Sequence, residues 1–375
     1  MSGYRAHLPL SSGHPVPTAT EPAQGSAQAT LHRWALWGKG KAATPSGVGM
    51  LLVTGGAGFI GSNVVASLNE AGQSDIVVND HFGSDEKWRN LGKRQVADVV
   101  PPGEVAAWLD GRKLDAIIHL GAISDTTATD ADLVLETNFR LSLRLLDWCA
   151  MTRTPFIYAS TAATYGDGEQ GFDDDETPAA LDRLRPLNLY GWSKHLFDLA
   201  VAERVRKRSG LPPQWVGLKF FNVFGPNEYH KGEMMSLVAK RFDDAKAGKP
   251  IRLFKSHREN IADGDQRRDF IYVDDAVAVV RWLLDNQTVC GIFNVGTGQA
   301  RSFRDLVSAM FAALGRPPAI EYVDMPVAIR DRYQYFTQAN VEKLRRAGYN
   351  GGFTPLEEAV SRYVGRHLNQ PDRYR

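Results

Sequence analysis

Tyr190-Gly191-Trp192-Ser193-Lys194 sets a phenol and an ammonium four residues apart. On a helix, that spacing puts both side chains on one face. An ammonium beside a phenol favours the phenolate, which equips the pair to exchange a proton with a substrate hydroxyl. The chain has 12 tyrosines, and Tyr190 alone has a lysine four residues on. Spacing alone is more often coincidence than chemistry. Here Ser160-Thr161 stand upstream, at the end of an apolar run that reads as a strand of an α/β sheet. Such strand ends are where an α/β sheet gathers its functional residues.

A second stretch points the same way. Leu51-Leu52-Val53-Thr54-Gly55-Gly56-Ala57-Gly58-Phe59-Ile60-Gly61-Ser62-Asn63 runs from a β-branched and apolar segment into a glycine cluster that opens a helix. Gly56, Gly58 and Gly61 satisfy the dinucleotide fingerprint, and Gly55 offers a second register. The glycines permit a tight turn, close approach of backbone to a pyrophosphate, and close packing of helix on strand. Free N–H groups at the start of the helix Phe59–Ala71 then face the phosphates. Asp80 ends the next strand, Asp75–Asn79. By the simple rule it binds an unphosphorylated ribose and selects NAD. Lys87, Arg89 and Arg94 follow, and they suit a 2′-phosphate instead.

Positioning these groups calls for a strand–helix alternation, and the chain supplies one from Met50. Candidate strands are Met50–Thr54, Asp75–Asn79, Asp115–Gly121, Pro155–Ser160, Trp215–Phe221 and Gly291–Val295, with long helical stretches at Leu133–Met151 and Ser193–Ser209. The expected fold is α/β: a Rossmann-like doubly wound parallel sheet with a smaller interleaved α/β substrate lobe. The expected division gives 50–221 to the dinucleotide domain, with 272–298 and 334–348 returning to it. The smaller lobe takes 222–271, 299–333 and 349–375. Residues 1–49 are rich in Ser, Pro, Ala, Gly and Thr, and are expected to be a disordered or non-native tail, with Met50 a natural first residue.

A net charge of +1 gives no global electrostatic case for nucleic acid or membrane as partner. No apolar run is long enough to span a bilayer. Cys149 and Cys290 are the only cysteines, without metal-type spacing, and neither HExxH nor CxxC occurs, so no metal is expected. The run Asp173-Asp174-Asp175-Glu176 reads as solvated loop, and His119 as a residue packed at a strand end.

Tyr158-Ala159-Ser160-Thr161-Ala162-Ala163-Thr164-Tyr165-Gly166, the Tyr190/Lys194 pair and Arg268-Asp269-Phe270-Ile271-Tyr272-Val273 resemble the extended short-chain dehydrogenase/reductase family, over Met50 to about Leu368. Phe221-Asn222-Val223-Phe224-Gly225-Pro226-Asn227-Glu228-Tyr229-His230-Lys231-Gly232-Glu233-Met234 and Arg332-Tyr333-Gln334-Tyr335-Phe336-Thr337-Gln338-Ala339 are similar to its ADP-heptose 6-epimerases. The resemblance implies a cytoplasmic, NADP-dependent isomerase (NAD being the other option) that serves lipopolysaccharide core synthesis. It implies a homo-oligomer, a pentamer, acting on an ADP-heptose nucleotide sugar.

The implied roles fall on particular positions. Gly55, Gly58, Phe59, Ile60 and Gly61 lie at the pyrophosphate, and Asp80, His81 and Lys87 at the adenosine ribose. Leu120, Gly121, Ala122, Ile123, Ser124, Asn138 and Val223 line the cofactor cleft. Thr161 polarises the reacting oxygen beside Tyr190, and Lys194 holds the nicotinamide ribose. Lys231 is the second acid/base group and also touches the cofactor. Ser160, Asn222, Glu233, Lys240, Phe254, Lys255, Ser256, His257, Arg268 and Tyr333 surround the ADP-sugar. In the resembled pattern a small hydroxyl residue stands where this chain has Glu233, a histidine where it has Lys240, and an amide where it has His81.

The chemistry gives its own reason to want Lys231. An epimerase that passes through a ketone must present both ketone faces to one cofactor, so the oxygen points two ways and one tyrosine serves only one of them. Spacing alone favours reading Lys231 as a surface loop lysine that contacts a phosphate, and the resemblance reverses that preference. Two rivals stay open. One is a 4-epimerase or dehydratase of the same fold. A dehydratase carries Asp-Glu after its catalytic Thr or Ser, where this chain has Ala162-Ala163. The other is a non-catalytic NADP-sensing module, which would not need the Tyr190/Lys194 pair.

Overall fold

The computed structural model describes residues 49–330 and 333–375. The expected tail therefore lies outside the described residues, apart from Gly49, as do Asp331 and Arg332. Twelve strands are described: β1 (Leu51–Thr54), β2 (Ile76–Asn79), β3 (Asp98–Val100), β4 (Ala116–His119), β5 (Phe156–Thr161), β6 (Trp215–Phe220), β7 (Asn222–Phe224), β8 (Ile251–Phe254), β9 (Arg267–Tyr272), β10 (Gly291–Val295), β11 (Ala300–Ser302) and β12 (Ile320–Val323). Seven form one parallel sheet in the order β10-β6-β5-β4-β1-β2-β3. The order reverses between β1 and β4, which is where a doubly wound sheet opens its crevice.

Parallel strands covered on both faces are apolar throughout, because neither face meets water. In β1, Leu51 and Val53 join one core with the helices Phe59–Glu70 and Val273–Asp285, while Leu52 joins the core on the other face with Phe156, Tyr158 and Phe197. A further core packs β8 and β9 against the helices Leu237–Lys246, Phe303–Ala313 and Leu356–Tyr363. Two small sheets belong there, β11-β9-β7 and β12-β8.

Three features depart from the sequence reading. The stretch Leu133–Met151 is not one helix: Ala131–Leu135 and Leu141–Thr152 are α-helical and Glu136–Arg140 between them is a π-turn. The wider turn carries the buried Asn138, and insertions of this kind re-aim a side chain at functional sites. Second, the helix expected from Ser193 starts at Leu189. The Asn188 side chain caps it by accepting the Gly191 N–H at 2.8 Å. Third, the acidic run is not simply solvated. Asp174 is buried and accepts the Asn294 N–H at 2.8 Å, while Glu176 pairs with Lys343. The run pins the Phe172–Glu176 segment to β10 rather than hanging in water.

Candidate active site

The crevice beside β1 and β4 is a cavity of about 500 Å³. Its floor is the glycine turn. Gly55 has φ +66° and accepts the Gly58 N–H at 2.9 Å. A Cβ on Gly61 would overlap the Gly55 carbonyl, so only glycine lets the helix start this close to the turn. Gly58 caps the helix Phe59–Glu70 with no side-chain hydrogen bond, leaving the first-turn N–H groups to face the cavity. That uncapped helix end and glycine cradle fit a pyrophosphate. Gly55, Gly58, Phe59, Ile60 and Gly61 all line the cavity.

Asp80 and Lys87 line the next part of the wall. The Asp80 carboxylate accepts the Ala57 N–H at 2.8 Å and the Lys87 ammonium at 2.7 Å. Lys87 also donates to the His81 carbonyl at 2.8 Å. The loop after β2 thus curls back so that a cation sits beside the acid. His81 is exposed and contributes its backbone rather than a cavity wall.

Leu120, Gly121, Ala122 and Ser124 line the cavity, whereas Ile123 and Asn138 stand behind it. The Asn138 side chain accepts the Ile123 N–H at 2.8 Å and donates to its carbonyl at 2.9 Å, and it donates to the Ser193 hydroxyl at 3.0 Å. It fixes the loop after β4 to the long helix Leu189–Lys207. His119, at the end of β4, is buried between the hydroxyls of Thr54 (2.6 Å) and Ser142 (2.8 Å), and burial holds its imidazole down to about 3. It is a neutral packing residue, as expected.

Thr161, Tyr190 and Lys194 meet on the far wall. Gly191 explains how the helix comes so near: a Cβ there would lie 2.8 Å from the Ala163 carbonyl oxygen. The Tyr190 phenol does not stand as the spacing suggested. Burial, the largest influence, raises it; the hydrogen-bonding Thr161 side chain lowers it, and the Asp198 charge raises it. Burial lowers the Lys194 ammonium to about 8, against a raising influence of Asp198. Ser160 lines the same wall, but its hydroxyl is donated to Asp198 at 2.7 Å and so is committed within the protein.

Lys231 enters from an unconnected element, the turn Tyr229–Met234, and lines the cavity together with Asn222 and Val223. Its ammonium lies 5.4 Å from the Phe59 ring centre. Burial lowers it, while Glu228 raises it. Glu228 is itself buried and accepts the Ser236 hydroxyl at 2.7 Å and the Gly225 N–H at 3.3 Å. Those bonds hold the base of the turn.

The remaining expected sugar contacts are more scattered. Glu233 and Lys240 line a neighbouring hollow of about 570 Å³, and the Lys240 ammonium donates to the Glu233 carbonyl at 2.9 Å. Phe254, Lys255, Ser256, His257, Arg268 and Tyr333 do not line the main cavity. Arg268 borders it through Phe303, which does: the guanidinium lies 5.7 Å from that ring and 5.4 Å from Tyr333. Tyr333 in turn packs edge-on against Phe254. Lys255 pairs with Asp324 at 3.3 Å. The Ser256 N–H donates to Asp263 at 2.7 Å, and the His257 N–H donates to the Tyr335 hydroxyl at 3.0 Å. Arg268 is buried without a carboxylate partner among the described residues. A buried, unpaired guanidinium is suited to gripping a diphosphate.

Sequence reasoning missed Asp198, Lys219 and Glu228. For Asp198 a signal existed, since it stands four residues beyond Lys194; Lys219 and Glu228 gave none.

Comparison with known proteins agrees with this geometry. Residues 51–296 match the model of the NAD dependent epimerase/dehydratase family. An ADP-L-glycero-D-manno-heptose-6-epimerase of Nitratidesulfovibrio vulgaris is 50% identical over 327 residues, covering 86% of this chain and 99% of the relative. The crystal structure of the Helicobacter pylori ADP-L-glycero-D-manno-heptose-6-epimerase superposes with a TM-score of 0.69 at 30% identity, over 85% of this chain and 96% of that one. A Thermus thermophilus UDP-glucose 4-epimerase in complex with NAD gives 0.65 at 27% identity, over 84% and 98%. The glycine cradle, the Tyr190/Lys194 pair and these matches agree: the chain belongs to the NAD dependent epimerase/dehydratase family.

Proposed function

We propose that the chain inverts carbon 6 of an ADP-heptose, interconverting ADP-D-glycero-D-manno-heptose and ADP-L-glycero-D-manno-heptose through a transient 6-ketone. The observation that carries this reading is that two proton-exchanging groups, Tyr190 and Lys231, reach one cavity from unconnected elements. Near-complete coverage of a relative named for that reaction supports the substrate. The bound dinucleotide supplies reversible removal and return of hydride at a single carbon. The chain does the rest. Tyr190, with Thr161 beside it, takes and returns the hydroxyl proton for one orientation of the oxygen. Lys231 does so for the other. Lys194 holds the cofactor's ribose next to the phenol. Arg268 and Tyr333 grip the diphosphate with Asn222, and the smaller interleaved lobe closes on the sugar through Glu233, Lys240 and residues 254–257. We place the enzyme in the cytoplasm, as a pentamer, in supply of lipopolysaccharide core precursors.

The test is direct. The purified protein is incubated with ADP-D-glycero-D-manno-heptose, and carbon-6 configuration is followed by proton NMR. Interconversion to a fixed epimer ratio, with no net cofactor consumed, is expected. Turnover of a UDP-hexose with none of the heptose would sink the reading and favour a 4-epimerase. No turnover of either, with cofactor bound, would favour a sensing module.

We further propose NADP as the cofactor. Lys87 neutralises Asp80 and presents a cation at the ribose edge. Charge-assisted hydrogen bonds contribute roughly 1.5–3 kcal/mol. Lys87→Ala should therefore weaken NADP binding by about tenfold to a hundredfold, and NAD binding by far less. Titration calorimetry on cofactor-stripped protein measures both. Equal losses would remove Lys87 from phosphate recognition and return the assignment to NAD.

A further inference from the structure

Beneath the Tyr190–Lys194 pair lies an ion pair that the mechanism above leaves unused. Asp198 and Lys219 are fully buried, with Nζ of Lys219 3.0 Å from Oδ2 of Asp198. That oxygen also accepts the Ser160 hydroxyl at 2.7 Å, and Oδ1 accepts the Tyr158 hydroxyl at 3.1 Å. Lys219 donates further, to the Thr164 hydroxyl at 2.6 Å, and Thr164 donates to the Thr161 carbonyl at 2.8 Å. Its ammonium lies 4.8 Å from the Tyr165 ring centre. Four elements are thereby tied together: β5, the turn Ala162–Tyr165, β6 and the helix Leu189–Lys207.

Stability is a weak reason for such a pair. Removing two charges from water costs so much that well-packed apolar residues often do as well or better. Placement offers a stronger one. Asp198 stands one turn beyond Lys194 and two beyond Tyr190, on the same helix face. Ser160 adjoins Thr161, and Thr164 fixes Thr161's carbonyl. Two arms of the network, through Ser160 and through Thr164, end beside or at Thr161 on the reacting wall.

We propose that Asp198 and Lys219 are positioning residues, holding Thr161 against Tyr190 and placing a balanced charge pair at the foot of the Tyr190–Lys194 face. This rests on the reading of Tyr190 as a proton-exchanging group. The groups that face Asp198 are Tyr190, Lys194 and His195 on its own helix, Tyr158 on β5, Tyr165 on the turn and Lys219 on β6. The carboxylate raises both Tyr190 and Lys194. Without its charge the phenol ionises at lower pH.

Three variants test this by kcat, KM and pH profile. Asp198→Asn should lower kcat at its plateau by about tenfold, as expected for slight misplacement of reacting groups, while KM for the ADP-sugar changes by less than about twofold. The acid limb of its kcat profile should move to lower pH. In Asp198→Asn/Lys219→Met both charges are gone, so the limb should return towards the wild-type position while kcat stays low. Thr164→Val keeps both charges and removes the hydroxyl that joins Lys219 to the Thr161 carbonyl, and should lower kcat without moving the limb.

Wild-type kcat and limb in both Asp198→Asn and Thr164→Val would overturn the proposal, and so would a lowered melting temperature with neither changed. Should Asp198→Asn fail to fold, Thr164→Val decides by its kcat. Should the wild type not turn over the heptose, the substrate reading fails separately. The brace is then judged on the tyrosinate absorbance lost in Tyr190→Phe: Asp198→Asn must lower its midpoint, or, where that variant does not fold, Lys219→Met must raise it by leaving the carboxylate uncompensated, and an unmoved midpoint overturns the brace.

Discussion

Tyr190→Phe and Lys231→Met should each depress epimerisation by about a hundredfold or more, and they should fail in opposite halves of the reaction. Tyr190 arrives on the helix Leu189–Lys207, Lys231 on the turn Tyr229–Met234, and both line the same cavity. Burial lowers the Lys231 ammonium, which brings it closer to giving and taking a proton near neutral pH. With an aldehyde analogue of the sugar, reduction at one face should survive loss of one residue and fail on loss of the other. Lys194→Ala should behave differently and damage both faces, because its role is to hold the cofactor beside Tyr190. Single-turnover kinetics with a deuterated analogue reads the two faces apart. If Lys231→Met only raised KM and left kcat intact, the lysine would be a binding residue, and Tyr190 or a water would have to serve both orientations.

The sequence was most legible where sterics leave one solution. Gly55, Gly58 and Gly61 are demanded by backbone contacts, and those contacts stand at the expected turn between β1 and its helix. The six expected strands are all present within two residues of their expected ends, because strands buried on both faces read as apolar runs. β3 was not legible. Asp98 and Val99 are exposed at the sheet edge, so its three residues carry no buried pattern. The strands of the small sheets were missed too: β7 and β11 have three residues each, β8 and β12 are not buried along their whole length, and β9 opens on Arg267-Arg268-Asp269 and so does not read as an apolar run.

The site divides along the same line. Tyr190 and Lys194 share a helix, so local spacing reveals them. Lys231 is recruited from a loop by Glu228 and its backbone bonds, and only the family resemblance singled it out. Lys219 meets Asp198 across sequence-distant elements, and no local pattern announces it. Asp174 was misread because a run of acids is usually solvated, yet its partner, the Asn294 N–H, lies 120 residues away.

Gly61→Ala should strip the protein of its cofactor. The added Cβ would overlap the Gly55 carbonyl oxygen and lie 2.8 Å from its carbon and 2.9 Å from the Gly56 Cα. All three are backbone atoms, so no side chain can rotate away. Nor can the turn retreat. Gly55 is held at φ +66°, its N–H donates to the Asn79 carbonyl at 2.8 Å, and on its far side a Cβ would come within 2.6 Å of the Gly121 nitrogen. The helix Phe59–Glu70 must therefore move off the turn, taking its first-turn N–H groups from the pyrophosphate. Overpacking of this kind costs about 1–3 kcal/mol, occasionally more, which corresponds to roughly tenfold to a hundredfold in cofactor affinity or beyond. Protein purified with bound cofactor should lose it in the variant, and the melting temperature should fall by the stabilisation that binding had contributed. Gly103→Ala, where nothing lies within 4 Å of the new Cβ, is the neutral control. Gly58→Ala should be intermediate, since its Cβ would sit 3.0 Å from the Gly55 carbonyl oxygen. Mass spectrometry of the cofactor released on denaturation ranks the three. Wild-type cofactor content in Gly61→Ala would mean that the turn yields, and that the cradle is not what holds the pyrophosphate.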